Sequence, residues 1–334
     1  VEYCPRGIDI VELTQSIRQL NQESGQLPKY LQKPIKSLKA NGNPFGESPE
    51  NRTQWAKGIP LPTYSEDCEI CLFTCCTTAY DTSYNKDSQK AGKAVIKLLN
   101  GAGIHYGTFG TEEQCCGDIA VQAGAIGPLT DLTSHNTSLF KEAGVKQLLT
   151  VSPHCLQMFR NKYPGLTDSI RIDHYLTLLE DLLEKKTLKP TTELKLTVTY
   201  HDPCYLGRYN GIYEEPRRIL KRIPGLNLVE MDSNQEQSLC CGGGGSAAFK
   251  LPSNKVTLGE VRIHEALKTG ADVIATACPY CIRMLNDAIQ KMGVQKNIIV
   301  QDVAELLLQS ANQSFDQEKS QCLCESDSTY AIAE

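Results

Sequence analysis

Between residues 194 and 281 the chain reads LKLTVTY (Leu194–Tyr200), HDPCYLGR (His201–Arg208), SLCCGGGG (Ser238–Gly245) and DVIATACPYC (Asp272–Cys281). The first and last of these open with short apolar, β-branched runs that suit buried strands, and each strand runs straight into a cysteine. Pro216–Ile223 and Val261–Lys268 between them carry helical spacing, so strand and helix alternate as in a parallel α/β sheet. The same order stands earlier, with a strand at Glu69–Thr74 (EICLFT), a helix at Ala91–Leu99 and a strand at Val145–Val151 after a helix ending near Gly144. Corresponding cysteines are offset by 128 (Cys76 to Cys204), 125 (Cys115 to Cys240 and Cys116 to Cys241) and 126 (Cys155 to Cys281). Offsets this constant predict two homologous cysteine-rich α/β modules related by a pseudo-two-fold, over residues 65–192 and 193–311. Their cysteines fall at strand-to-loop junctions, where α/β sheets place ligands.

Outward from this repeat, residues 21–64 hold six prolines and read as an extended linker with little regular structure. Residues 1–20 begin with Cys4-Pro5 and continue into an amphipathic stretch, Ile10, Val11, Thr14, Ile17 and Leu20, at helical spacing. Cys-Pro closes the ligand run of bacterial ferredoxins, so this stretch reads either as the end of a ferredoxin-like [4Fe-4S] domain or as a helix with one free thiol. Residues 312–334 read as a polar tail in which Cys322 and Cys324 are free thiols. The chain has 334 residues, 40% hydrophobic and 22% charged, with 34 Lys+Arg against 39 Asp+Glu, the balance of an ordinary soluble globular protein. A net charge of −5 argues against a nucleic-acid partner. No apolar run approaches the roughly 20 residues of a spanning helix, so any membrane attachment is expected through a partner.

Fifteen cysteines are the outlier. Adjacent cysteines rarely bond each other and an odd total suits a disulfide framework poorly, which favours metal or cluster ligation. In the second module Cys204, Cys240, Cys241, Cys278 and Cys281 come from three loops, and the glycines from Gly242 and Gly243 onward leave room for backbone to approach an inorganic core. Zinc takes four ligands; a polynuclear iron–sulfur cluster accommodates five better. In the first module Cys76, Cys115, Cys116 and Cys155 repeat the pattern, with Ser152 where the second module has Cys278. Four thiolates suffice for a [4Fe-4S] cubane, with His154 beside it, while a vestigial, metal-free site is the alternative.

The motifs HDPCYLGR, NGIY (Asn210–Tyr213), CCGGG (Cys240–Gly244), SPHC (Ser152–Cys155) and CPYC (Cys278–Cys281) resemble the CCG cysteine-rich family of heterodisulfide reductase catalytic subunits. The resemblance covers residues 65–311, and Cys4-Pro5 with RTQWAKG (Arg52–Gly58) resembles the ferredoxin end and linker of its membrane-associated branch. It implies a noncubane [4Fe-4S] cluster on the five cysteines of the second module, fed by ferredoxin-type [4Fe-4S] clusters and able to open a disulfide. It also implies a cytoplasmic chain held at the membrane by a cytochrome b-type subunit, with other iron–sulfur subunits or electron-transfer flavoprotein as partners. A small disulfide or a protein disulfide is the implied substrate, and a relay from flavoprotein to menaquinone is the alternative. A zinc-stabilised scaffold is the reading from another class.

Other residues carry weaker expectations. Cys71 and Cys75 read as small packed side chains, and Cys68 and Cys71 as at most a minor metal pair. His201 and Asp202 either deliver protons to a departing thiolate or bind the loop. Arg208, Arg262 and Arg283 either present charge to an anion or lie at the surface. The glycine run lacks the Lys-Ser/Thr ending of a phosphate loop.

Overall fold

The structure is a computed structural model of the chain and describes residues 4–83, 86–250 and 255–311, so the tail with Cys322 and Cys324 lies outside the described residues. It opens with helices α1 (Ile10–Glu23) and α2 (Lys29–Asn41) and a 3-10 segment, Pro49–Ala56. The first module then runs β1 (Ile70–Phe73), α3 (Cys76–Tyr80), α4 (Asp87–Gly101), β2 (Tyr106–Gly107), α5 (Asp118–Ala123), α6 (Ile126–Glu142), β3 (Gln147–Thr150), α7 (Pro153–Asn161), β4 (Arg171–His174) and α8 (Tyr175–Glu184). The second runs β5 (Thr197–Tyr200), α9 (Gly207–Asn210), α10 (Glu214–Lys221), β6 (Asn227–Val229), α11 (Leu258–Lys268), β7 (Val273–Thr276), α12 (Pro279–Met292), β8 (Ile299–Asp302) and α13 (Val303–Ser310). Each module forms a four-stranded parallel sheet, in the orders β2-β1-β3-β4 and β6-β5-β7-β8. The two orders are the same when counted within each module. In both, the first and third strands lie side by side in the middle, so the loops that follow them emerge together.

Strands β1 and β7 are buried along their whole length and β3 and β5 at all but their first residue, as helices on both faces of a parallel sheet require. The modules meet through helices: α4 packs on α12 and α13, and α8 on α10. Across this seam the Tyr175 hydroxyl donates to Asp302 at 2.5 Å, and Arg218 pairs with Glu180.

The segment 21–64 departs from the extended linker that its prolines suggest. Helix α2 carries Pro34 in its interior, where proline costs roughly 3 kcal/mol locally. Leu31, Ile35 and Leu38 form one buried stripe on that helix, and their burial offsets the cost. Pro49 sits at the first position of the 3-10 segment, where its missing N–H is no loss, and the segment buries both Arg52 and Trp55. Helix α1 forms as the periodicity predicts but buries none of its residues; Ile10, Leu13, Ile17 and Leu20 stay exposed while Arg18 donates to the Gln122 carbonyl on α5.

A Cβ at Gly92 on α4 would lie 2.8 Å from Trp55 Cζ3 and would also strike Thr78. Gly92→Ala is therefore expected to destabilise by about 1–3 kcal/mol, against the usual gain of alanine in a helix. The check is the denaturant midpoint; an unchanged or higher value would mean that Trp55 does not seat on α4. Burial raises the Asp302 carboxyl to about 8, despite the Tyr175 hydroxyl and the Ala304 N–H that it accepts from. The folded state thus binds this proton more tightly than the unfolded state, so its stabilisation is complete below the ordinary value of 3.8 and is lost as pH rises through 8. Asp302→Asn is expected to flatten the fall in thermal stability over that interval, and a parallel pH profile would contradict it.

Candidate functional site

In the second module the loops after β5, β6 and β7 bring five cysteines together. Cys204 neighbours Cys240, Cys240 neighbours Cys241, Cys241 neighbours Cys281, and Cys281 neighbours Cys278, a continuous run of adjacent thiols. Cys241, Cys278 and Cys281 are buried, whereas Cys204 and Cys240 are partly exposed and form the open side. The geometry of the Cys-Cys-Gly turn explains its glycine: Gly242 has φ +92°, a left-handed conformation, and its N–H folds back onto Cys240 Sγ at 3.2 Å. A Cβ at Gly243 would come within 3.0 Å of Met284 Cγ and 3.6 Å of Cys241 Sγ.

His201 lies under this group. Its Nδ1 accepts from Arg262 Nε at 3.1 Å, which leaves the proton on Nε2. That Nε2 is buried without a partner, and a ring nitrogen of His201 lies within 4.8 Å of the sulfurs of Cys241 and Cys281. Burial, with the Arg262 charge beside it, lowers His201 to about 3, so the ring is neutral at neutral pH: it offers an N–H but is not an imidazolium acid. Arg262 is fully buried, held by the Ser233 carbonyl, Glu265 and Ser238, and Arg208 pins the carbonyls of Glu236 and Ser238 just before Cys240. Arg262 is thus not the surface charge that isolated arginines suggest, whereas Arg208 is exposed and spends its guanidinium on backbone carbonyls. Asp202 is bound on both oxygens by Arg217, at 2.7 and 3.0 Å, which fixes the loop that delivers Cys204.

The first module builds a similar group. Cys76 contacts Cys115, Cys115 contacts Cys116, and Cys116 contacts Cys155. Gly117 repeats the turn of Gly242, with φ +89° and its N–H 3.4 Å from Cys115 Sγ. Two residues join that sequence reasoning set aside. Cys75 lies beside Cys155 and Ser152, so its thiol adjoins the group and is not merely a packed side chain. Arg52, from the supposed linker, is buried beside the group, donating to Cys76 Sγ at 3.5 Å, to the Thr74 carbonyl at 2.6 Å and to Glu113. All five thiols here are buried.

The two groups touch through the middle residues of the SPHC and CPYC loops. His154 leaves the first module to contact Cys278, stacked on Tyr205 at 4.1 Å and against Tyr280 at 4.5 Å, with Nδ1 2.9 Å from Asp118 Oδ2. Burial opposes its charge, but Asp118 and then Cys278 outweigh it and hold the imidazole well above its ordinary value. In return, although burial opposes its ionisation, hydrogen bonds from Cys281 and His154 bring the Cys278 thiol down to about 5. Tyr280 reaches the other way, to Thr77 beside Cys76. Cys4 stands apart, its sulfur lowered by backbone N–H groups of Arg6 and Ile8. Cys68 contacts Ser65 and Cys71 is buried on β1; neither enters a thiol group. Arg283 lies 3.9 Å from Asp81.

The cysteine-rich domain model named CCG matches twice, over residues 70–160 and 198–286, which together are more than half of the chain. The chain is 32% identical to an EtfAB:quinone oxidoreductase of Syntrophomonas wolfei over 92% of its length and 44% of the relative's. It is 33% identical to the probable iron-sulfur-binding oxidoreductase FadF of Bacillus subtilis, covering 86% of this chain and 41% of that one. It is 31% identical to one component of the dihydromethanophenazine:CoB--CoM heterodisulfide reductase of Methanosarcina barkeri, over 92% of this chain and 74% of that component. The chain thus spans less than half the length of the first two relatives and about three quarters of the third. With both thiol groups inside the matched segments, the chain belongs to the CCG cysteine-rich domain family.

Proposed function

We propose that this chain is the iron–sulfur redox part of an electron-transfer complex, with a noncubane [4Fe-4S] cluster on Cys204, Cys240, Cys241, Cys278 and Cys281. The observation that carries this is the run of five thiols, each beside the next, drawn from three loops. Five sulfur donors exceed a tetrahedral zinc site and suit several irons that share thiolates. The surroundings fit such a group: the His201 N–H has no protein partner, and Gly242 and Gly243 keep side chains away from the sulfurs. When bound, the cluster supplies one-electron steps and an iron open to a sulfur ligand. Opening a disulfide consumes two electrons and two protons and yields two thiols.

The chain's residues divide the remaining work. Cys204 and Cys240 border the open side, where a small disulfide or a protein disulfide can approach. Arg262 holds His201 through Nδ1 and so keeps its proton on Nε2. His154 carries a proton between Asp118 and Cys278 at the edge of the site, which makes it a better proton source than His201. The first-module thiols, buried throughout, suit a cluster that passes electrons without meeting substrate. Residues 1–20 with Cys4 are the end of a ferredoxin-like domain whose [4Fe-4S] clusters feed them, and the two modules face each other about a pseudo-two-fold axis.

A relay from electron-transfer flavoprotein to menaquinone is the second reading, supported by the likeness to an EtfAB:quinone oxidoreductase. No helix among the described residues is long and apolar enough to cross a membrane. A cytoplasmic position at the membrane, beside a cytochrome b-type or other iron–sulfur partner, belongs to the same proposal. The zinc scaffold has one observation in its favour, the His201, Cys241 and Cys281 trio within 4.8 Å.

The test is metal analysis and EPR on anaerobically purified protein, with and without a candidate thiol. Cys241→Ala is expected to remove roughly half of the iron and every thiol-responsive signal. Gly242→Ala is expected to impair iron uptake because its φ of +92° is strained for any side chain, while Gly244→Ala, with nothing within 4 Å of its Cβ, leaves it intact. Iron signals indifferent to thiol would favour the relay; zinc in place of iron would overturn both.

A further inference from the structure

Cys75 stands at a position where the second module has Pro203, immediately before the first thiol of its group. It is the N-cap of α3 yet makes no side-chain cap bond, and it is only 2% exposed. Its thiol instead meets Cys155 and the Ser152 hydroxyl, and Cys155 continues to Cys116, Cys115 and Cys76. The order is Cys76, Cys115, Cys116, Cys155, Cys75. In the second module it is Cys204, Cys240, Cys241, Cys281, Cys278. Four members correspond in sequence and the fifth does not: Cys278 comes from the N-cap of α12, whereas Cys75 comes from the N-cap of α3 and ends against the same kind of neighbour.

Ser152 shows why the replacement fits. It occupies the N-cap of α7, the counterpart of Cys278, and its hydroxyl accepts the His154 N–H at 3.3 Å, a capping bond that Cys278 does not make. The serine therefore serves the helix, and the thiol that its position lacks arrives from the neighbouring strand-to-helix turn. Cys71, fully buried on β1 only four residues earlier, makes no such contact, so burial alone does not account for Cys75.

We propose that Cys75 is the fifth thiolate of the first-module site, which makes that site a five-cysteine cluster site rather than the four-cysteine cubane site that the cysteine spacing suggests. This rests on the iron–sulfur reading above. It extends that reading to a second site of the same ligand number, sealed from solvent and neighboured by the Arg52 guanidinium, where the second-module site is open.

The test uses the full chain, purified anaerobically and reconstituted with iron and sulfide, read by iron per chain and by Mössbauer spectroscopy. Cys75→Ser is expected to change or remove one of two cluster spectra and to lower iron by up to about half. The thiol-responsive signal of the second module should remain. Cys71→Ser should leave both spectra intact. Adding Ser152→Cys to Cys75→Ser returns a thiol beside Cys155 and is expected to restore the lost spectrum, a rescue that damage to folding alone would not show. If Cys75→Ser kept the wild-type iron content and both spectra, or if the second substitution restored nothing, Cys75 would not be a ligand. A wild-type chain that took up no iron would overturn the iron–sulfur reading and this inference with it, a result distinguishable from either of those.

Discussion

Ten sulfurs in two groups of five, eight of them buried, set the terms on which the rest of the structure is arranged. Thiols this close cannot all ionise, because each thiolate raises the cost of the next in a medium that screens charge poorly. The two groups show the same compromise. Hydrogen bonding from Cys155 lowers Cys75 to about 6 and hydrogen bonding from Cys115 lowers Cys116 to about 7, while Cys76, Cys115 and Cys155 are pushed well up. In the second group Cys240 and Cys278 are lowered and Cys204, Cys241 and Cys281 are raised. Full deprotonation of either group needs positive charge placed among the sulfurs, which is what metal ions provide. The parallel sheets, the left-handed glycines Gly117 and Gly242 and the buried guanidiniums of Arg52 and Arg262 converge on holding thiols where only such a charge stabilises them.

The two groups are alike in construction and different in access. Arg52 donates directly to a thiol of the first, whereas Arg262 acts on the second through the His201 ring. His154 and Tyr280 occupy the same place in their loops and each crosses to the other module, so neither group is insulated from its neighbour. A sealed group thus lies beside an open one, with His154 between them, stacked on Tyr205 and tilted against Tyr280.

The duplicated α/β architecture was legible because cysteines at near-constant offsets mark strand ends, and the strands themselves are short apolar runs. The four shared thiols of each group were legible for the same reason. Residues 21–64 were not, because the local signal of Pro34 and its neighbours is overridden by tertiary burial of Leu31, Ile35, Leu38 and Trp55, which a linear reading does not see. Arg52 was hidden with that segment. Cys75 was hidden by its position: a cysteine beside a ligand cysteine has no spacing of its own, and buried free thiols are common. His154 drew attention as a neighbour of its own module's thiols, but its contact with Cys278 depends on how the modules face each other. The neutral state of His201 likewise depends on its burial and then on Arg262, 61 residues away, and no local pattern announces either.

The most direct measurement of the central claim is the metal identity and stoichiometry of the anaerobically isolated chain, taken together with its Mössbauer spectrum. Two filled groups predict about eight irons per chain and two distinct four-iron spectra, with zinc below stoichiometric amounts. About one zinc per thiol group and no iron would contradict the account, because it would turn both groups into scaffolding.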